Sequence, residues 1–170
     1  LQGLISESRF ETEARLWANY ETDYAPVVRF AKENKIPLVA TNIPRRYANS
    51  VSKEGFSILD SLSDEAKRYI APLPIEFNFN ADGSEAAFGL MQMFKGKNMG
   101  NSEYLSQAQA IKDATMAWFI AKNIKNKFLH INGNYHTDSK EGIIPYLLTY
   151  REGVKFVTVA YVSQDYIDQL

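Results

Sequence analysis

The segment Phe128–His136 constrains the fold most, because a short, mainly apolar run is followed directly by a polar turn. Residues 128–131 have the pattern of a β-strand. Asn132 and Gly133 end it, since both tolerate backbone conformations that β-branched residues avoid. A helix-like run follows from Gly142, and both histidines of the chain lie in this strand–turn–helix unit. Such units predict an α/β fold, in which ligands bind at the turns beyond the carboxyl ends of the strands.

Two further segments fit the same fold class. Residues 36–41 form an apolar run that follows a helix-like segment, and residues 154–162 are rich in β-branched residues. A helix followed by a strand is typical of a parallel sheet. We therefore expect an α/β fold with a mostly parallel central sheet.

Composition limits the classes of function. The 170 residues suit a single domain, and a formal net charge of −1 argues against a nucleic-acid-binding protein. The absence of cysteine excludes disulfides, thiolate catalysis and cysteine-ligated metal centres. The apolar runs are too short to span a bilayer. The chain starts at Leu1 without an initiator methionine, so we expect it to be part of a longer protein.

Arg45 and Arg46 follow the predicted strand 36–41, at the start of a predicted helix. Two cations at a helix N-terminus oppose the helix dipole. An anionic ligand would relieve that conflict, because it could pair with the arginines and accept hydrogen bonds from the free backbone N–H groups at the helix start. The alternative is a solvated or salt-bridged arginine pair, and the spacing alone favours that alternative.

The longest helical pattern covers residues 102–125. Gln109, Asp113 and Met116 lie on one face of this helix, at intervals of four and three residues. They are either directed into a pocket or form the solvated edge of the apolar stripe. Residues 72–101 have the composition of an insertion over the sheet, which serves either as a lid or as a connector.

Three segments together resemble a known family. They are residues 40–45, residues 108–117, and residues 132–136 with 142–145. Their order and spacing resemble the ChaN-like family (DUF399) of iron-regulated, haem-binding bacterial lipoproteins, from about Trp17 to Val159. The resemblance implies a three-layer α/β fold. It also implies a single domain over residues 1–170, whose N-terminal strands are missing from this chain.

The resemblance also implies a setting and a ligand. The family implies haem or iron acquisition at the outer membrane or cell surface of a Gram-negative bacterium. The lipid anchor would lie outside this chain, and haem would be sandwiched in a homodimer with tyrosine as an iron ligand. The wider superfamily includes Tiki proteases and erythromycin-esterase-like proteins, in which a glycine-x-x-histidine like Gly133–His136 contributes to a metal or catalytic site. This chain departs from the family in lacking a Gly-Glu-x-His motif, in Tyr135 for a glycine and in Lys112 for an arginine.

The resemblance implies a haem-binding protein more readily than an enzyme. Haem needs an axial ligand, an apolar slot and cations for its propionates. We expect His136 and Tyr135 as iron ligands, Arg45 and Arg46 at the propionates, and Met116 and Trp118 in the slot. The other expected cofactor-binding residues are Asn42, Gln109, Asp113 and Asn134.

Two alternatives remain open at this stage. One is a metal-dependent hydrolase in which His136 is a base or metal ligand and Asp113 its partner. The other is a purely structural turn with a capped histidine and no ligand.

Overall fold

The computed structural model describes residues 6–77 and 101–161 of the chain. The chain divides into two compact units, residues 1–40 and residues 41–170. The single domain expected from the sequence stays a prediction.

The first unit contains two helices and a π-helical turn. Helix α1 spans Glu7–Glu13 and is capped by the Ser6 side chain. The π-helical turn Tyr20–Tyr24 leads into helix α2, Ala25–Glu33, which has a proline in its first turn. Exposed ion pairs join Arg29 to the carboxylates of this unit, and pairs of this kind stabilise a fold only slightly.

The second unit begins with a helix, a 3-10 turn and a short helix. Helix α3 spans Arg45–Glu54, the 3-10 turn Phe56–Ser61, and helix α4 Asp64–Lys67. Gly55 joins the first two with a φ of +77°, and a Cβ there would lie 2.9 Å from the Tyr104 ring. The tight junction therefore requires glycine.

Helix α5 spans Ser102–Asn123 and organises the second unit. It packs against α3 and against helix α6, Ile143–Tyr150. Two apolar clusters meet on it, one with Ile111 at its centre and one with Met116 and Ile120. Arg151 donates to the carbonyl groups of Ala121 and Ile124 and so satisfies the C-terminal end of α5.

The three-layer α/β fold with a mostly parallel sheet is wrong for the residues that the structure describes. The predicted strands lack regular secondary structure, and none joins a ladder within residues 6–77 and 101–161. Leu129 is 83% exposed and Val157 is 89% exposed, so these side chains are not buried against a layer of helices. Strand propensity is local, whereas a sheet also requires a neighbouring backbone that pairs. This part of the chain is helical.

Candidate functional site

The polar turn folds against the start of α6. Residues Asn134–His136 form a 3-10 turn, and Gly142 lies against the backbone of His136. A Cβ on Gly142 would overlap the His136 carbonyl oxygen and lie 2.9 Å from the carbonyl carbon. Glycine at this position therefore lets the turn approach close enough for the His136 side chain to reach α5.

The turn meets α5 at a buried acid–base pair. Nδ1 of His136 lies 2.6 Å from Oδ1 of Asp113, and the amide nitrogen of Gln109 lies 2.9 Å from the same Nδ1. Asp113 is 4% exposed. We assign the Nδ1 proton to the bond with Asp113, because the carboxylate is an acceptor and the amide nitrogen is a donor. Nε2 of His136 then carries the lone pair, which suits a base or a metal ligand.

Burial and neighbouring charges tune these groups. Burial raises the pKa of Asp113, although the hydrogen bond from His136 opposes that rise. Burial and the charge of Asp113 both raise the pKa of Tyr135, so its phenol keeps its proton near neutral pH. The site therefore holds a protonated phenol beside a histidine that a carboxylate orients.

A cavity of about 850 Å³ opens beside this pair. Its wall includes Gln109, Asp113 and Tyr135 from the predicted site. Small-molecule and cofactor sites commonly measure about 300–1,000 Å³, so the cavity is large enough for a cofactor. The other lining residues come from two segments and from α5: Pro72, Leu73, Pro74, Glu76, Phe77, Ser106, Ala110, Asp138, Glu141, Gly142, Pro145, Tyr146, Thr149 and Tyr150. His136 donates to one wall residue, Asp113, and lies next to another, Gln109, but it is not among the described residues that line the cavity.

His130 has a different environment from His136. Its Nε2 lies 2.9 Å from the Thr41 hydroxyl, and its Nδ1 lies 3.0 Å from Oδ1 of Asn132. Since Oδ1 only accepts, Nδ1 carries the proton and the Thr41 hydroxyl donates to Nε2. Asn132 in turn donates to the hydroxyl of Thr137. This network ties the segment before α3 to the turn that carries His136.

Neither of the two predicted propionate-binding arginines is among the described residues that line the cavity. Arg46 lies over the ring of Tyr47, 4.9 Å from its centroid, and lines a separate depression of about 340 Å³. Burial lowers the pKa of Lys112 and Arg45 lowers it further, so these two cations lie within electrostatic reach of each other. Asn42 is exposed, next to the Thr41 that bonds His130.

The remaining predicted residues are scattered around the cavity. Met116 is buried in the apolar cluster between α5 and α6. Trp118 contacts the wall residue Tyr150 edge to face, with ring centroids 5.4 Å apart. The Asn134 side chain donates to the carbonyl oxygen of Tyr161. The structure thus brings Gln109, Asp113, Tyr135 and His136 together, and their role in binding haem stays a prediction.

Sequence reasoning missed half of the cavity wall. Tyr146 and Tyr150 were not among the predicted site residues, although they lie four apart on one face of α6 and line the cavity. The predicted insertion or lid begins at Pro72, and its described part, residues 72–77, does line the cavity. Residues 78–100 of that predicted lid lie outside the described residues.

Comparison with known proteins decides the family. A family model described as "Haem-binding uptake, Tiki superfamily, ChaN" matches residues 1–147. The chain belongs to this family. The match covers the whole polar turn, α5 and the Asp113–His136 pair, and the family's function is haem-binding uptake. No curated protein and no solved structure gives a significant match.

Two features are absent from the described residues. Within residues 6–77 and 101–161, no group of three or more histidine, cysteine, aspartate or glutamate side chains is arranged to hold a metal ion. In the same part of the chain, no helix has the length and apolar character needed to cross a membrane.

Proposed function

We propose that this chain binds haem in the cavity beside the Asp113–His136 pair and serves in haem or iron acquisition. The observation that carries the proposal is a cofactor-sized cavity whose wall includes Tyr135. The next residue in the chain is His136, whose ring is oriented by Asp113. Family membership supports haem as the ligand, and the size and position of the cavity support this part of the chain as its binding site.

The donor set fits a haem iron. Tyrosine and histidine are both axial ligand types of haem. Tyr135 is the first candidate because it lines the cavity, and His136 is the second because Asp113 fixes its ring and leaves the lone pair on Nε2. Bound haem would supply a ferric centre that these side chains hold for transfer.

The walls also fit the macrocycle. Pro72, Pro74, Phe77, Tyr146 and Tyr150 present flat apolar surfaces to the cavity. A porphyrin needs such surfaces on both faces, since burial of its apolar area stabilises the complex. Haem and the described walls are therefore compatible in size and polarity.

The cellular setting is proposed from the family alone. We propose a lipid-anchored, iron-regulated lipoprotein at the outer membrane or cell surface of a Gram-negative bacterium. We also propose that a homodimer brings two such sites together. The test is to grow cells with a labelled lipid precursor and separate their membranes. The full-length protein should carry the label and appear in the outer-membrane fraction.

A hydrolase of the Tiki or erythromycin-esterase type is the second candidate. The buried Asp113–His136 pair favours it, because a carboxylate that orients a histidine is a common acid–base arrangement. A hydrolase predicts turnover of ester or peptide substrates that is lost in His136→Ala. If the protein only binds haem, neither the wild type nor His136→Ala should turn over these substrates.

Haem titration tests the first proposal. The chain has two tryptophans, so Trp17→Phe leaves Trp118 as the only one, next to the wall residue Tyr150. We expect a saturable change in the haem absorbance spectrum together with quenching of Trp118 fluorescence. Non-saturable absorbance changes without quenching would show that haem only adheres to the surface.

A further inference from the structure

Lys112 is a partly buried cation on α5, next to the cavity. It lies three residues after Gln109 and one residue before Asp113, and both of these neighbours line the cavity. The Lys112 ammonium donates to Oε1 of Gln109 over a distance of 3.3 Å. A positive charge therefore lies in contact with a polar residue of the wall, although Lys112 itself is not among the described lining residues.

The contacts of Lys112 leave room for an anionic partner. Within the part of the chain that the structure describes, Lys112 bonds to a neutral amide oxygen and forms no ion pair. Oδ1 of the neighbouring Asp113 is already bonded to His136. The bond to Gln109 is long for an N–H···O hydrogen bond, which commonly measures about 2.7–3.2 Å. A ligand carboxylate could replace this acceptor with a shorter, charge-assisted bond.

The electrostatic environment of Lys112 also favours an added anion. Burial lowers the pKa of Lys112, the charge of Asp113 opposes that effect, and the charge of Arg45 lowers the pKa further. The ammonium is thus partly dehydrated and is repelled by a second cation. A carboxylate within reach of Lys112 and Arg45 would offset both effects.

Two acidic residues elsewhere on the wall have a different environment. Glu76 and Glu141 line the cavity, but both are exposed, and neither belongs to α5. Water screens the charge of an exposed carboxylate more strongly than that of a partly buried ammonium. A ligand with an apolar body and peripheral carboxylates would therefore be held with a carboxylate toward Lys112.

We infer that Lys112 binds a propionate of haem beside Gln109, and that Arg45 adds supporting positive charge. The inference rests on the proposed function, because it concerns the same cavity. It assigns to Lys112 the role that the sequence had suggested for Arg46, which stacks on Tyr47 and lines the separate depression.

The probes are iron protoporphyrin IX and its dimethyl ester, which has the same macrocycle but no charged propionates. Both are titrated into the full chain under identical solvent conditions. Lys112→Gln should weaken the binding of haem about tenfold, as loss of a charge-assisted hydrogen bond commonly does, and should change the binding of the ester little. Lys112→Arg should keep most of the haem affinity, because a guanidinium also pairs with a carboxylate.

The matched control is Lys122→Gln, which removes the same charge from an exposed position of α5 outside the cavity wall. It should bind both porphyrins as the wild type does. Equal losses for haem and ester in Lys112→Gln would show that Lys112 acts only through Gln109, and this result would overturn the inference. A haem affinity in Lys112→Gln no lower than in the control would also overturn it. The proposed function would stand in both cases, whereas failure of the wild type to bind either porphyrin would overturn the function and the inference together.

Discussion

Asp113 and His136, 23 residues apart in the chain, are joined by a contact of 2.6 Å between Oδ1 and Nδ1. The contact links the central helix α5 to the turn before α6. Removing one partner of a buried, charge-assisted hydrogen bond commonly costs about 1–3 kcal/mol, so the pair stabilises the fold as well as orienting the histidine.

The pH dependence of stability should report on Asp113. Burial raises its folded pKa above the usual 3.8. Between the unfolded and folded values, the folded chain keeps a proton that the unfolded chain has released. The contribution of Asp113 to the free energy of unfolding is therefore present at low pH and lost as pH rises through the folded pKa.

Urea unfolding of the wild type and Asp113→Asn across pH 4 to 7 measures this contribution. The stability of the wild type relative to the variant should fall as pH rises. The exposed Asp60, replaced in the same way, is the control and should show no such trend. A relative stability that rises with pH would mean that the pairing with His136 outweighs burial.

His130 should show the opposite linkage. Burial lowers its folded pKa from the usual 6.5, so the neutral form stabilises the fold above that value. This stability is lost as pH falls through 6.5 toward the folded pKa. We expect the advantage of the wild type over His130→Gln in urea unfolding to be larger at pH 7.5 than at pH 5. An advantage that is constant or grows on acidification would show that His130 is not buried in the neutral form.

Two glycines next to the site form a matched pair. A Cβ on Gly142 would overlap the His136 carbonyl group, whereas a Cβ on Gly133 would meet nothing within 4 Å. Gly142→Ala should therefore destabilise the chain by about 1–3 kcal/mol, as overpacking commonly does, and should weaken haem binding. Gly133→Ala should be close to neutral, because its φ of −67° suits alanine. Thermal unfolding of both variants checks this, and equal losses would contradict the close approach.

Much of the helical structure could be predicted from local signals. The longest pattern, residues 102–125, corresponds to α5, Ser102–Asn123. Ser63 caps α4 through its side chain, as a serine followed by acidic residues indicates. These features depend on residues within a few positions of each other, which the sequence displays directly.

The features that depend on distant contacts were harder to predict. Asp113 and His136 were selected from a helix face and from a family motif, but the bond between them depends on how α6 packs on α5. The prediction of a central sheet was wrong for the described residues. Apolar, β-branched segments such as residues 154–161 favour extended backbone, but they do not specify a pairing partner. The tyrosines of α6 belong to the wall only because residues 72–77 lie opposite them.

The central claim is that the turn at Tyr135 and His136 supplies the iron ligand, and the spectrum of ferric haem bound to single variants tests it most directly. Tyr150→Phe is the control, since it removes a phenol from the same wall away from the turn. We expect Tyr135→Phe to lose the tyrosinate-to-iron charge-transfer band, His136→Ala to weaken haem binding, and Tyr150→Phe to retain both band and affinity. Unchanged spectra and affinities in Tyr135→Phe and His136→Ala would show that the ligand comes from elsewhere and would contradict the assignment of this turn.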